Sequence, residues 1–345
     1  MIDWRLATNV AGAIAGMQPA PPSAAFEHVA GPTEESHRLV SAYTGLVAST
    51  PLPHPEPVDR TVWIESNLTS LKTVLDPVAG RLGSGMGPLA PAISTAAGVV
   101  LALEVGAISG LLAQRVLGQY EFPILEPDAP ARLLFVAPNL ARGAEQLDAE
   151  SDELLRWVAL HEVTHALQFG GVPWLREHLA GMVSELLAAL DVDPRRMMRL
   201  PDASDLKALV EMAREGDLTT LVVGPERRAL LDRMQAFMAV LEGYAEHVMD
   251  AVGEELLPNL PHLREALDRR RRDRSGLFRV LERLLGLELK LRQYQLGKAF
   301  CDAVVAEGGI AALNRVWEGP DRLPTLPEIE DPAGWLARTT PAEAA

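Results

Sequence analysis

Apolar residues recur at helical spacing along most of the chain, which indicates a protein built mainly from helices. One short run differs, because residues 132–136 have the composition of a β-strand that ends before Pro138. We therefore predict a mainly α fold with a small β element. The predicted helices cover residues 1–18, 33–47, 59–75, 93–118, 148–169, 174–190, 202–215, 230–252, 262–285, 286–307 and 309–318.

Proline and glycine mark the predicted interruptions between these helices. Prolines at positions 51, 53, 55 and 57 argue against regular structure there, because proline has no backbone N–H to donate. Residues 76–92 are rich in glycine and proline and are predicted to form a loop. The composition changes near Tyr120, so we predict a helical N-terminal domain of residues 1–120 and a second domain of residues 121–345.

A five-residue motif, His161-Glu-Val-Thr-His165, lies inside the predicted helix 148–169. Residues four apart lie on the same face of a helix, so His161 and His165 can reach one metal ion. Two histidines are half of a tetrahedral zinc site. Glu162 lies about 100° round the helix from its neighbour His161, where a carboxylate can take a proton from the attacking water. The motif therefore predicts a hydrolytic zinc site with Glu162 as general base.

Such a site needs a third protein ligand and an open position for water. Two carboxylates compete for this role: Glu185 follows His165 by twenty residues, and Glu242 lies on a later helix. We favour Glu242, since Glu246 lies one turn further on and can accept the free N–H of a ligating histidine from outside the ligand shell. Glu185 remains the alternative ligand.

The strand at residues 132–136 precedes the motif helix and has two interpretations. An exposed edge strand can bind an extended peptide through its backbone hydrogen bonds, which suits a peptidase cleft. An isolated hairpin arm explains the same residues equally well. Oxyanion stabilisation could come from Tyr244, from His247 or from an arginine, and the helical spacing does not decide between them.

Composition narrows the possible partners. The chain has 345 residues and a formal net charge of −15, which argues against nucleic acid and against anionic membranes. Residues 89–112 are long and apolar enough to span a bilayer, but Glu104 and Pro91 favour a buried helix over membrane contact. The only cysteine, Cys301, permits no internal disulfide, and the N-terminus is a poor signal peptide. We predict a cytoplasmic protein.

Several segments together resemble one known family, the zincin-like metallopeptidases associated with coenzyme F420 biosynthesis. The resemblance rests on residues 161–169 and 172–175, on Glu242 and Gly243, and on matches spread over nearly the whole chain. It implies a helical N-terminal domain, a zincin-like and mostly helical catalytic domain, and a hydrolase activity. The chain departs from the family at Tyr244, where we expect histidine.

These observations lead to three functional hypotheses. The first is a Zn²⁺-dependent metallopeptidase-like hydrolase, in which His161, His165 and Glu242 bind the metal and Glu162 is the base for attack on a peptide or amide carbonyl. The second is a zincin scaffold that binds metal and a partner without catalysis. The third is an amidohydrolase that acts on a non-peptide metabolite.

Overall fold

The fold is mainly helical with one small β-sheet, as predicted. The structure, a computed structural model, describes residues 2–83, 90–126, 128–189, 225–272 and 287–340. The predicted helix at 202–215, residues 273–285 of the predicted helix at 262–285, and residues 84–89 of the predicted loop at 76–92 lie outside these residues. The division of the chain at residue 120 is untested and stays a prediction.

Four helices form the N-terminal part: α1 (Trp4–Gly16), α2 (Ala30–Thr44), α3 (Arg60–Gly83) and α4 (Ala90–Ala113). A 3₁₀ turn at Ala24–Phe26 lies between α1 and α2. The predicted loop at 76–92 was wrong at both ends, because α3 continues through Pro77 to Gly83 and α4 begins at Ala90. Packing of α3 against α1 and α4 outweighs the local preference of glycine and proline for a loop.

A three-stranded sheet joins this part to the rest of the chain. Its strands are β1 (Pro55–Val58), β2 (Gly118–Glu121) and β3 (Arg132–Val136), in the spatial order β1-β3-β2. β1 runs parallel to β3, and β2 runs antiparallel to it. Two predictions were therefore wrong: β3 is the central strand rather than an edge strand, and the proline-rich segment contains a strand. Because Pro55 and Pro57 are two residues apart, the ring nitrogens of both can face away from β3. An edge strand needs no N–H donor on that side.

The remaining helices are α5 (Ala137–Leu147), α6 (Ser151–Gly171), α7 (Leu175–Ala189), α8 (Pro225–Leu256), α9 (Leu260–Arg272), α10 (Leu287–Leu313), α11 (Leu326–Glu330) and α12 (Pro332–Thr339). α10 is kinked at Gly309, and 3₁₀ turns follow at Asn314–Trp317 and Pro320–Arg322. α6 is buried along most of its length, so the motif helix forms the centre of the main hydrophobic core.

The crossing of α8 and α10 is unusually close. A Cβ atom at Gly243 would lie 2.3 Å from the carbonyl carbon of Gly297, and a Cβ at Gly297 would lie 2.0 Å from the carbonyl oxygen of Ala239. Only glycine lets the two backbones approach this far. The crossing therefore fixes the position of α8 in the region of Glu242.

Helix α4 packs one face against α1 and exposes the other. Gly106 lies against Ala7, and a Cβ at Gly106 would be 2.6 Å from the Ala7 carbonyl oxygen. Val99, Val100 and Leu103 are exposed. Thr95–Ala113 is long and apolar enough to cross a membrane, and 33% of it is buried. The predicted buried helix is thus buried on one side, while the argument against membrane contact stays a prediction.

Candidate metal centre

The motif histidines lie on one face of α6, as the spacing predicted. Asp152 and Glu153 occupy the first turn, where negative charge favours the helix N-terminus. Two turns later the Nε2 atoms of His161 and His165 are 3.1 Å apart, with the rings edge to face. Both imidazoles therefore present a nitrogen to the same point.

Glu242 of α8 supplies a carboxylate at that point. Its Oε2 lies 3.8 Å from Nε2 of His161 and 3.8 Å from Nε2 of His165. The three side chains form a group whose ligand atoms all lie within 4.8 Å of one another. Ligands at about 2.0–2.1 Å from a tetrahedral zinc ion are about 3.3 Å apart, so the observed spacing is close to that of a zinc site.

The electrostatics of the group favour a positive charge between the three side chains. Burial lowers the pKa of His165, but Glu242 and Glu162 outweigh burial and raise it to about 9. Burial raises the pKa of Glu242, yet the neighbouring His165 and His161 lower it overall. The negative charge that favours a proton on His165 would also favour a metal cation at the same position. The donor set of two imidazoles and one carboxylate is one that zinc prefers.

Glu162 follows His161 on α6, and its carboxylate interacts with both His165 and the sheet. Its Oε2 accepts a 2.7 Å hydrogen bond from the main-chain N–H of Tyr120 in β2. Burial raises the pKa of Glu162 to about 7, against the opposing effects of His165 and of this hydrogen bond. A carboxylate with such a pKa can exchange a proton near neutral pH.

Gln168 is a site residue that the sequence analysis missed. Its Oε1 lies 2.8 Å from Nδ1 of His165, and its Nε2 donates to the main-chain oxygen of Leu241 at 3.1 Å. Gln168 thus orients a predicted ligand and ties it to α8, next to Glu242. One signal in the sequence was available: Gln168 follows His165 by three residues and so lies on the same helix face.

The other sequence candidates lie elsewhere. Glu185 forms an exposed ion pair with Arg233 at 2.7 Å. Oε2 of Glu246 accepts a 2.5 Å hydrogen bond from the guanidinium of Arg264. Its proposed contact with a ligating histidine stays a prediction. The structure therefore brings Glu242, and not Glu185, to the two histidines.

Neither residue considered for oxyanion stabilisation is aimed at the ligand group. The hydroxyl of Tyr244 donates to Asn314 at 2.8 Å. The His247 ring lies between the Tyr43 hydroxyl, at 2.8 Å, and the Asp302 carboxylate, at 2.7 Å. Both side chains link helices, so we assign them no role in the chemistry.

A cavity of about 300 Å³ opens beside His165 and Glu242. Its walls come from α3, β2, α6, α7 and α8, so both parts of the chain contribute to it. Most of the lining side chains are apolar: Leu71, Val74, Phe122, Ile124, Phe169, Leu179, Met238 and Leu241. A partly apolar cleft with a few convergent polar groups is the usual form of a small-molecule or peptide site.

Comparison with known proteins agrees with this geometry. A sequence profile of the zincin-like metallopeptidases matches residues 2–336, which is nearly the whole chain. The chain belongs to this family. Membership implies a zinc cofactor, which the paired histidines and Glu242 are arranged to bind.

A solved structure provides a second comparison. The crystal structure of a "putative hydrolase with a novel fold" from Chloroflexus aurantiacus matches with a TM-score of 0.74 and 32% sequence identity. The match covers 99% of this chain and 100% of that chain. A comparison with curated proteins found no match. Family and neighbour together support a hydrolase-like function.

Proposed function

We propose that this protein is a zinc-dependent hydrolase that cleaves peptide or amide bonds, with Glu162 as general base. The observation that carries the proposal is the convergence of His161, His165 and Glu242 on one point. His165 and Glu242 also line a cleft. Three protein ligands leave one position of a tetrahedral zinc ion open, which distinguishes catalytic from structural sites.

The residues of the site would have separate roles in the reaction. A bound zinc ion would supply Lewis-acid activation of water and of the substrate carbonyl. His161, His165 and Glu242 would hold it, and Gln168 would fix the orientation of His165. Glu162 would accept the proton of the attacking water on its carboxylate and return it to the leaving amine. The hydrogen bond from Tyr120 holds one oxygen of Glu162 in place and leaves the other to carry the proton.

The edge strand β2 is the proposed support for the substrate backbone. Residues alternate along an antiparallel strand, so that every second residue turns its N–H and C=O away from its partner strand. The N–H of Tyr120 points to Glu162 and not to β3, so its carbonyl also faces away from β3. An extended substrate could add to this edge. For residues 132–136 this role was one of two interpretations of the sequence, and the proposal moves it to β2.

The decisive experiment uses Glu162→Gln protein together with a diverse peptide library. We expect metal analysis to find one zinc per chain in both wild type and Glu162→Gln, while the variant loses turnover by about 10²–10⁴-fold. Zinc retained with equal turnover in both proteins would contradict the assignment of Glu162. Zinc binding without hydrolysis of any peptide or simple amide by wild type would instead support the scaffold hypothesis.

A matched pair of variants tests the third ligand. Glu242→Gln removes the carboxylate of the ligand group, so we expect zinc affinity to fall by at least about 100-fold, more than a supporting residue would cost. Glu185→Gln changes an exposed ion pair and should leave zinc affinity unchanged. The opposite result for the pair would restore Glu185 as the ligand.

The biological setting is proposed from the sequence alone: the F420 association from the resemblance, and the cytoplasmic location from the N-terminus and the single cysteine. An association with coenzyme F420 biosynthesis and a cytoplasmic location both fit the sequence and remain proposals. Growth of a deletion strain with measurement of its F420 content would test the first, and fractionation of cells would test the second.

A further inference from the structure

Glu121 is a buried carboxylate at the end of β2, one residue after Tyr120. Its side chain points to α3, on the face of the sheet opposite to Glu162. It accepts hydrogen bonds from the hydroxyls of Ser66 and Ser70, the latter at 3.0 Å. Glu121 is only 8% exposed. The carboxylate is thus hydrogen-bonded by two neutral donors and largely shielded from solvent.

The positive charge opposite Glu121, that of Arg132, is already paired with another carboxylate. Arg132 lies opposite Glu121 in the β2–β3 ladder, but its guanidinium donates to Glu56 at 3.0 and 2.7 Å and to Ser66 at 3.0 Å. Two carboxylates therefore face one guanidinium. Within the described ranges, no ion pair shorter than 4.0 Å reaches Glu121. A buried carboxylate that lacks a close cation costs free energy, which a cationic ligand would recover.

Glu121 also lies where two cavities meet. The cavity beside His165 and Glu242 and a second one of about 360 Å³ share Ser70, Glu121 and Phe122 in their walls. The second cavity is the more polar one, and its walls include Arg132 and Glu65. A ligand that extends from the metal centre along β2 therefore passes Glu121.

We propose that Glu121 forms a cation-binding subsite of the cleft, which selects substrates that carry an ammonium or guanidinium group near the bond to be cleaved. The inference rests on the proposed hydrolytic function of the same cleft. The apolar walls around Leu71, Val74 and Met238 receive an uncharged part of the substrate, and Glu121 receives its cation. The net charge of −15 attracts such substrates at long range.

The test compares lysine with norleucine, which has a similar length and no charge. A library of end-blocked hexapeptides carries one phenylalanine and, at each other position in turn, either lysine or norleucine. Binding is measured to the Glu162→Gln protein, so that turnover does not interfere. We expect lysine at one position to bind about tenfold or more tightly than norleucine, since hydrogen bonds to charged groups are the stronger kind.

Two further variants separate Glu121 from its surroundings. Glu121→Gln keeps the shape of the side chain and should remove the preference for lysine, whereas Glu65→Gln, at an exposed position of the second cavity, should keep it. A variant that folds poorly would weaken both peptides equally and leave their ratio unchanged, so the ratio is the readout. Equal binding of the two peptides, or a preference that survives in Glu121→Gln, overturns the subsite.

Failure of the subsite and failure of the proposed function give different results. Hydrolysis by wild type with no lysine preference would remove the subsite and leave the hydrolase. A lysine preference in binding that depends on Glu121, with no hydrolysis by wild type, would keep the subsite and remove the hydrolase.

Discussion

The main-chain N–H of Tyr120 and the carboxylate of Glu162 form a 2.7 Å hydrogen bond that joins the edge of the sheet to the motif helix. The contact is possible because Gly118 has no side chain. A Cβ at Gly118 would lie 2.7 Å from Cγ1 of Val158 and 2.8 Å from Cγ of Glu162. The position of the proposed base therefore depends on a glycine in the neighbouring strand.

Gly118→Ala should move β2 away from α6. We expect a loss of stability of about 1–3 kcal/mol, the usual cost of inserting a methyl group into a packed interface, with a fall in any hydrolytic activity. Urea denaturation measures the first effect. Gly12→Ala is the control, because its added methyl group meets nothing within 4 Å. Equal stability of wild type and Gly118→Ala would show that the strand and helix are not held in the described contact.

Gln168→Ala should weaken metal binding without removing a ligand. The hydrogen bond to His165 would be lost, and supporting residues of this kind contribute about 10–100-fold to metal affinity. Zinc affinity can be measured by competition with a chromogenic chelator. Gln146→Ala, on the exposed surface of α5, is the control. If both variants bind zinc like wild type, Gln168 does not orient His165.

Gly297→Ala should destabilise the whole fold. The added methyl group would meet the Ala239 carbonyl oxygen at 2.0 Å, so α8 and α10 must separate, at a cost of about 1–3 kcal/mol or more. Gly181→Ala lies in a helix where nothing is within 4 Å, and it should stabilise the protein by about 0.4–1 kcal/mol. Thermal unfolding of the two variants should therefore shift Tm in opposite directions.

Glu328 should make the C-terminal segment sensitive to acid. Burial raises the pKa of Glu328, but hydrogen bonds from Arg338 and Thr325 outweigh burial and lower the pKa below its ordinary 4.5. A depressed pKa stabilises the folded state above the unfolded pKa, and this stabilisation is lost as the pH falls through the folded pKa. The difference in Tm between wild type and Glu328→Gln should be full at pH 7 and should shrink below about pH 4.5. A difference that is constant from pH 7 to pH 3 would refute the assignment.

The helical content and the metal motif follow from local patterns, and both were predictable. The 3.6-residue period located α1, α2, α6 and α7 to within three residues at both ends, whereas α5, α11 and α12 were not predicted. The spacing of His161 and His165 on one helix is itself a geometric statement. Glu242 was the favoured third ligand, and the structure brings it to the histidines.

In the sheet, β3 was predicted with its observed bounds, whereas β1 and β2 were not predictable in the same way. Strand β1 contains Pro55 and Pro57, which oppose β structure locally, and it exists because β3 offers a partner 75 or more residues away in sequence. The role of Gln168 likewise depends on Leu241 of another helix. Such features depend on which segments meet, and hydrophobic periodicity does not contain that information.

The glycine crossing at Gly243 and Gly297 determines where this protein can be altered. The side chains that line the cleft can be exchanged for others of similar volume, so substrate preference is open to redesign. The crossing, in contrast, leaves no space for any larger residue, although it lies outside the ligand group. A library intended to change specificity should therefore vary the wall positions and keep both glycines fixed.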